Sequence, residues 1–74
     1  MHGTYVGTGE TRSFTFDFAP TLVQIYHPDK VYPFIRTTES GNNVGIATIS
    51  INGNVVTVTP DLNEQGKTYS YTAE

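Results

Sequence analysis

The sequence predicts an all-β domain, a small antiparallel β-sandwich of about six short strands with almost no helix. Three observations predict it. Phe14, Phe16 and Phe18 alternate with Ser13, Thr15 and Asp17, the period of two that puts the three rings on one face of a strand. Asn52-Gly53, the favoured pair for a two-residue type I′ turn, joins two apolar-alternating runs, Ile46 to Ile51 and Asn54 to Thr59. The composition, with five Tyr, four Phe and many Thr and Val in 74 residues, favours strand over helix on propensity.

The elements follow in order. Glycines punctuate the opening, which predicts a short extended segment at Thr4 to Val6 and a loop through Gly7 to Glu10. A strand over Thr11 to Phe18 ends at Ala19-Pro20, because Pro20 has no N–H to give a ladder and pushes Ala19 toward extended backbone. Thr21 to Tyr26 resumes the alternation with Val23 and Ile25 on one side and Leu22, Gln24 and Tyr26 on the other. Both sides are partly apolar, as in a strand covered by a second layer or a neighbouring subunit. His27-Pro28-Asp29-Lys30 is a turn, and Val31 to Thr37 is a strand that Pro33 places at an edge or interrupts. Glu39 to Gly45 reads as an exposed loop. In the hairpin, a two-residue Asn52-Gly53 loop opposes Ile51 to Asn54, Ile49 to Val56 and Ala47 to Val58, keeping the apolar residues on one face. Pro60 to Lys67 is a loop or single turn, and Thr68 to Ala73 is the last strand.

Length and charge then narrow the function. A domain of this size hides only about 60% of the surface of its unfolded chain, and its core seldom supplies more than about 3–5 kcal/mol, so small domains add disulfides, metals or subunits. Cysteine is absent, which leaves self-association. Four scattered cations, Arg12, Lys30, Arg36 and Lys67, and a net charge of -3 form no basic stripe, so nucleic acid is not an expected partner. No apolar run reaches the length of a membrane span, and no membrane insertion is expected.

No catalytic or metal constellation emerges, and neither enzyme activity nor a cofactor is expected. Asp61, Asn63, Gln65 and Gly66 echo a calcium loop, but the position of its bidentate glutamate holds Thr72. The glycines Gly3, Gly7 and Gly9 precede no helix and make no phosphate cradle. His27 beside Tyr26 and Asp29 reads first as a turn residue whose ring caps the loop and second as part of a small binding constellation. The tyrosines are first of all core or interface residues, with stacking on a sugar ring as the second reading.

Three marks carry a resemblance. An opening Gly-x-Tyr-x-Gly-x-Gly spans Gly3 to Gly9, a central Phe-x-Pro-x-x-Val-x-Ile spans Phe18 to Ile25, and a closing Leu-Asn-x-x-Gly-x-x-Tyr-x-Tyr-x-Ala spans Leu62 to Ala73. In this order the chain resembles a β-sandwich module found at the carboxyl ends of bacteriophage tail-fibre and minor structural proteins. The central mark is similar to a strand pair of the trimeric, sugar-binding H-type lectins. The resemblance implies a single domain over residues 1–74, a fragment or C-terminal module of a longer fibre protein. It also implies a homotrimer located in a virion tail appendage, or in the host cytoplasm before assembly, that contacts a cell-surface glycan or protein. Tyr26, His27, Tyr32, Asn42 and Asn43 are the candidate ligand residues. The alternative is a purely structural trimerisation and capping module without a ligand, and an enzyme acting on polysaccharide stands third.

Overall fold

The structure is a computed structural model that describes residues 1–74. Seven strands run in the order β1 (His2–Val6), β2 (Arg12–Thr15), β3 (Leu22–Tyr26), β4 (Pro33–Thr37), β5 (Ile49–Asn52), β6 (Val55–Val58) and β7 (Thr68–Ala73). A short helix α1 (Asn43–Thr48) precedes β5, and a 3-10 turn covers Pro60–Leu62. The strands form two antiparallel sheets, one ordered β1-β7-β3-β4 and one ordered β2-β6-β5. This is the small all-β fold that the alternation predicts.

The core lies between the sheets. Val23 and Ile25 of β3, Phe34 of β4, Ile49 of β5, Val56 and Val58 of β6, and Tyr69 and Ala73 of β7 are buried there. Phe14, Phe16 and Phe18 pack against them while remaining half-exposed. Phe16 lies beyond the end of β2, yet its N–H donates to the Asn54 carbonyl (2.8 Å) and its carbonyl accepts from Asn54 Nδ2 (3.0 Å). Those two bonds hold the phenylalanine face in place after the ladder has ended. Pro33 begins an edge strand, a position where its missing N–H breaks no ladder.

At one end of the sandwich, Tyr5 and Tyr69 are opposed in register and their rings stack, with centroids 5.1 Å apart and planes 12° from parallel. Each hydroxyl is used. Tyr5 donates to the Leu62 carbonyl (2.6 Å), and Tyr69 accepts from the Glu64 N–H (2.9 Å). Burial raises both phenols above the ordinary range, and for Tyr5 the neighbouring Tyr69 adds to the effect, so both stay protonated. Between the anchored Leu62 and Glu64, Asn63 is fully buried, and its amide donates to Thr8 Oγ1 and the Glu10 carbonyl, each at 2.7 Å. The Gly7 loop closes over this segment so tightly that a Cβ on Gly7 would lie 2.0 Å from the Glu64 carbonyl oxygen.

Two local expectations are corrected. Residues 43–48, expected as the end of a loop and the start of a strand, are helical. The reason is Asn42, whose Oδ1 accepts from the Gly45 N–H (2.8 Å) and caps the helix. The strand expected from Ile46 therefore begins at Ile49, leaving Ile46 exposed and Ala47 without a partner in the hairpin. The hairpin register also differs: Asn52 opposes Val55, Ile51 opposes Val56 and Ile49 opposes Val58, with Gly53-Asn54 as the two-residue loop. Gly53 has φ 62° and no other residue of the turn has positive φ. That is the type II′ arrangement, with glycine first, rather than a type I′ turn that needs two positive φ angles. The pairing moves by two residues, so the apolar face is preserved.

Gly53 is thus predicted to matter where Asn52 does not. Gly53→Ala should lower unfolding stability by about 1–2 kcal/mol, the strain of an L-residue in left-handed backbone, while Asn52→Ala leaves the urea midpoint unchanged. The reverse ranking would refute the type II′ turn. Tyr69→Ala should cost about 3–5 kcal/mol, comparable to the whole stability of about 3–5 kcal/mol expected of so small a core. Loss of the cooperative thermal transition, monitored by circular dichroism, is the expected result.

Candidate functional site

Two hollows interrupt the surface, and they share no lining residue. The first is a groove of about 360 Å3 between the β3–β4 turn, α1 and the 3-10 turn. It is built from His27 outward. β3 ends at Tyr26, and the Lys30 N–H donates to the His27 carbonyl (3.1 Å), which folds the chain back toward β4. The His27 ring is only 5% exposed and sits between Phe34, 6.4 Å away and nearly parallel, and Tyr69, 5.3 Å away and edge-on. Its Nδ1 accepts from the Asp29 N–H (3.0 Å), which leaves Nε2 to carry the proton of the neutral ring and donate it to Glu64 Oε2.

Glu64 is held from a second side by Lys67, whose Nζ lies 3.5 Å from Oε1 and also pairs with Asp29. These bonds tie the β3–β4 turn to the loop before β7. Exposed pairs of this kind add little stability; their effect is to fix where the Glu64 carboxylate points. The His27 hydrogen bond is the main reason that Glu64 titrates below the usual carboxylate range, with the charge of Lys67 acting in the same direction. Asp29 is lowered chiefly by its hydrogen bond to Lys67, and the same bond raises Lys67.

Tyr32, which also lines the groove, stacks on Phe34 with centroids 5.8 Å apart and planes 28° from parallel, and it remains 42% exposed. Lys30 and Asp61 complete the polar lining, and neither enters an ion pair. The groove sits at the His27 and Lys67 end of strands β3 and β7. Both termini lie at the other end, where Met1 exchanges backbone hydrogen bonds with Ala73 and Thr21 donates to Glu74.

The second hollow is an apolar cleft of about 540 Å3 between the sheets. Val23, Ile25 and Val56 form part of its wall, together with Tyr5, Phe14, Phe16 and Tyr71. It lies on the side where β1 and β2 form the two sheet edges. On the other side β4 and β5 lie together and α1 packs against β4, so the sandwich is closed there. Arg12 draws the open side together at one corner, with its guanidinium over Phe14 (4.8 Å) and its Nη1 donating to the Val6 carbonyl (2.8 Å).

Of the residues singled out in the sequence, His27 and Tyr32 meet in the groove. Tyr26 does not; it lies 48% exposed on the outer face of the four-stranded sheet, between Pro33 and Ser70 in register. Asn42 is fully engaged in the fold. Besides capping α1, its Oδ1 accepts from the Ile35 N–H (3.0 Å) and its Nδ2 donates to the Pro33 carbonyl (2.8 Å), covering the free edge of β4. Asn43 is exposed in the first turn of α1, away from the groove lining. In the calcium-like stretch, the Asn63 amide points to Thr8 and Glu10 and not toward Asp61. The charged groove residues that sequence reasoning missed are Lys30, Asp61 and Glu64. Glu64 stands 37 positions from His27, and no periodicity or spacing signals a contact of that kind.

Comparison with known proteins leaves the geometry to speak alone: no family model matches the chain, and neither a curated protein nor a solved structure matches it.

The linked carboxylates give a pH prediction. Asp29 and Glu64 are lowered in the folded state from 3.8 and 4.5, so their contribution is complete above those values and is lost as pH falls through the lower folded values. The thermal midpoint should decline on acidification through that window. The double variant Asp29→Asn, Glu64→Gln should start lower at neutral pH and show a flatter acid limb. Parallel acid limbs for variant and parent would show that the two carboxylates are not linked to folding.

Proposed function

We propose that this domain is a non-catalytic assembly and attachment module of the bacteriophage tail-fibre type, which works as a homotrimer in a virion appendage and contacts a receptor on the host cell surface. The observation that carries the assembly half is the one-sided opening of the sandwich. The total accessible surface, 4326 Å2, is close to the about 4,500 Å2 expected of a compact monomer of this mass, so the protein is not loosely packed throughout. Phe14, Phe16 and Tyr71 remain only partly buried at that opening, between two sheet edges that pair with no further strand of this chain. Copies of the same chain are the occupant this reading assigns to the cleft, since small domains without disulfides commonly gain stability from neighbouring subunits.

The attachment half is supported by the position of the groove, at the end of the sandwich away from both termini and on the side away from the cleft. An assembly that buries the cleft leaves the groove open. The purely structural reading has its own support. All three sequence marks of the resemblance are used by the fold: Tyr5, Gly7, Leu62, Asn63 and Tyr69 in the buried tyrosine end, and Pro20, Val23 and Ile25 in the core.

Light scattering of the purified domain tests assembly directly. The expected mass at micromolar concentration is three times the 8.1 kDa chain, and Phe16→Glu, which places a charge in the cleft, should shift it to one chain while keeping the β-type dichroism. A stable wild-type monomer would remove the assembly half. Adsorption to host cells separates attachment from scaffolding, since a scaffold leaves the cells unlabelled.

A further inference from the structure

We propose that Asn52 is a self-modification site, at which the hairpin releases ammonia and its backbone passes through a succinimide to isoaspartate. The inference rests on neither half of the reading above. Three observations carry it. Asn52-Gly53 is the single Asn-Gly pair in the chain, and a glycine nitrogen can approach the preceding side chain with no Cβ in the way. Both residues are exposed at the tip between β5 and β6, and nothing lies within 4 Å of the place a Cβ would take on Gly53. The Asn52 amide and the Gly53 N–H make no hydrogen bond, whereas Asn42, Asn54 and Asn63 are each held by theirs, to Pro33, Phe16 and Thr8 respectively. Asn43 is exposed, but the β-branched Val44 follows it inside a helix and shields the nitrogen that would attack.

The chemistry needs only water and hydroxide. The Gly53 nitrogen, after losing its proton to hydroxide, bonds to Asn52 Cγ, and the Cγ–Nδ2 bond breaks as Nδ2 leaves as ammonia. Water then adds to one of the two ring carbonyls. Opening at Cγ restores the ordinary peptide bond beside an aspartate side chain. Opening at the main-chain carbonyl sends the chain through Cβ and Cγ, which is isoaspartate and lengthens the backbone by one carbon. Asn52 opposes Val55 in the last pair of the β5–β6 ladder, and the lengthened backbone cannot keep both that pair and the two-residue loop. Asn54 of the same loop anchors Phe16 through its carbonyl and its Nδ2, so the change reaches the phenylalanine face.

The test is incubation of the full chain at mildly alkaline pH, followed by ion-exchange chromatography, since each event adds a negative charge to the net -3, and by peptide mapping with mass spectrometry. Position 52 should convert first, at a rate proportional to hydroxide, and yield isoaspartate that a protein-isoaspartate methyltransferase labels. Gly53→Ala should slow conversion at Asn52 about tenfold, equivalent to about 1.4 kcal/mol of barrier. The backbone consequence has its own control: Asn52→Asp should keep the parent's urea midpoint, while the isoaspartate fraction purified from aged wild type shows a lower one. Asn52 converting no faster than Asn43 or Asn54, or as fast in Gly53→Ala as in wild type, overturns the site. Aspartate as the sole product overturns ring closure, and an isoaspartate fraction as stable as the parent overturns the effect on the hairpin.

Discussion

The Tyr5–Tyr69 stack is the constraint on which the rest of the structure depends. It lies at a register position of the β1–β7 ladder, so it fixes the first strand to the last. Its two hydroxyls reach the Leu62 carbonyl and the Glu64 N–H, which pins the segment between the 3-10 turn and β7. That segment carries Asn63 inward to Thr8 and Glu10, and the Gly7 loop folds over it. It also carries Glu64 outward to His27. One aromatic pair therefore sets the sheet order at one edge, the closure of the glycine loop and the direction of the groove carboxylate. An unsatisfied buried carbonyl or N–H costs about 1–3 kcal/mol, which explains why tyrosine, rather than phenylalanine, stands at both positions.

The residues that were legible in the sequence are those whose signal is local. The alternation of Phe14, Phe16 and Phe18 reports a face directly, and so does that of Val23 and Ile25, because the period of a strand does not depend on what lies opposite. The hairpin was legible in its face but not its register. Asn-Gly and Gly-Asn share the glycine, and only the backbone shows whether glycine comes second, as in a type I′ loop, or first, as it does here. The helix at Asn43–Thr48 was hidden because Val44, Gly45 and Ile46 have modest helix propensity, and its cause is a single side chain, Asn42, that caps the helix and covers the β4 edge together. The groove was least legible. His27 and Tyr32 belong to one turn, but Asp61 and Glu64 arrive from the far end of the chain, brought there by the tyrosine stack.

The three sequence marks also take on a physical meaning. The opening glycines and the closing Leu-Asn are two halves of one packed unit: Gly7 N–H donates to the Lys67 carbonyl (2.8 Å), Gly9 N–H to the Asn63 carbonyl (2.6 Å), and Gly66 N–H to the Gly7 carbonyl (3.2 Å). Residues at opposite ends of the chain are coupled because the loop between the sheets cannot close unless both are present. Marks of this kind belong to a fold. The groove residues Tyr32, Asp61 and Glu64 lie outside the positions that the three marks specify.

The treatment of the sheet edges decides how the two hollows relate. An exposed edge invites pairing with another chain, and natural sheets cover the edges they do not use. The β4 edge is covered: Asn42 bonds to Ile35 and Pro33, its N–H donates to the Ile35 carbonyl (3.1 Å), and a bridge joins Arg36 to Gly41. On the cleft side, β1 and β2 pair with β7 and β6 alone, and the rings between them stay half-buried. The same short chain thus closes one flank with a helix, a cap and a bridge, and leaves the other apolar and unpaired. The groove opens on the closed flank, away from the free edges of β1 and β2. The two hollows therefore share no residue, and a substitution such as Phe16→Glu changes the cleft without touching the groove.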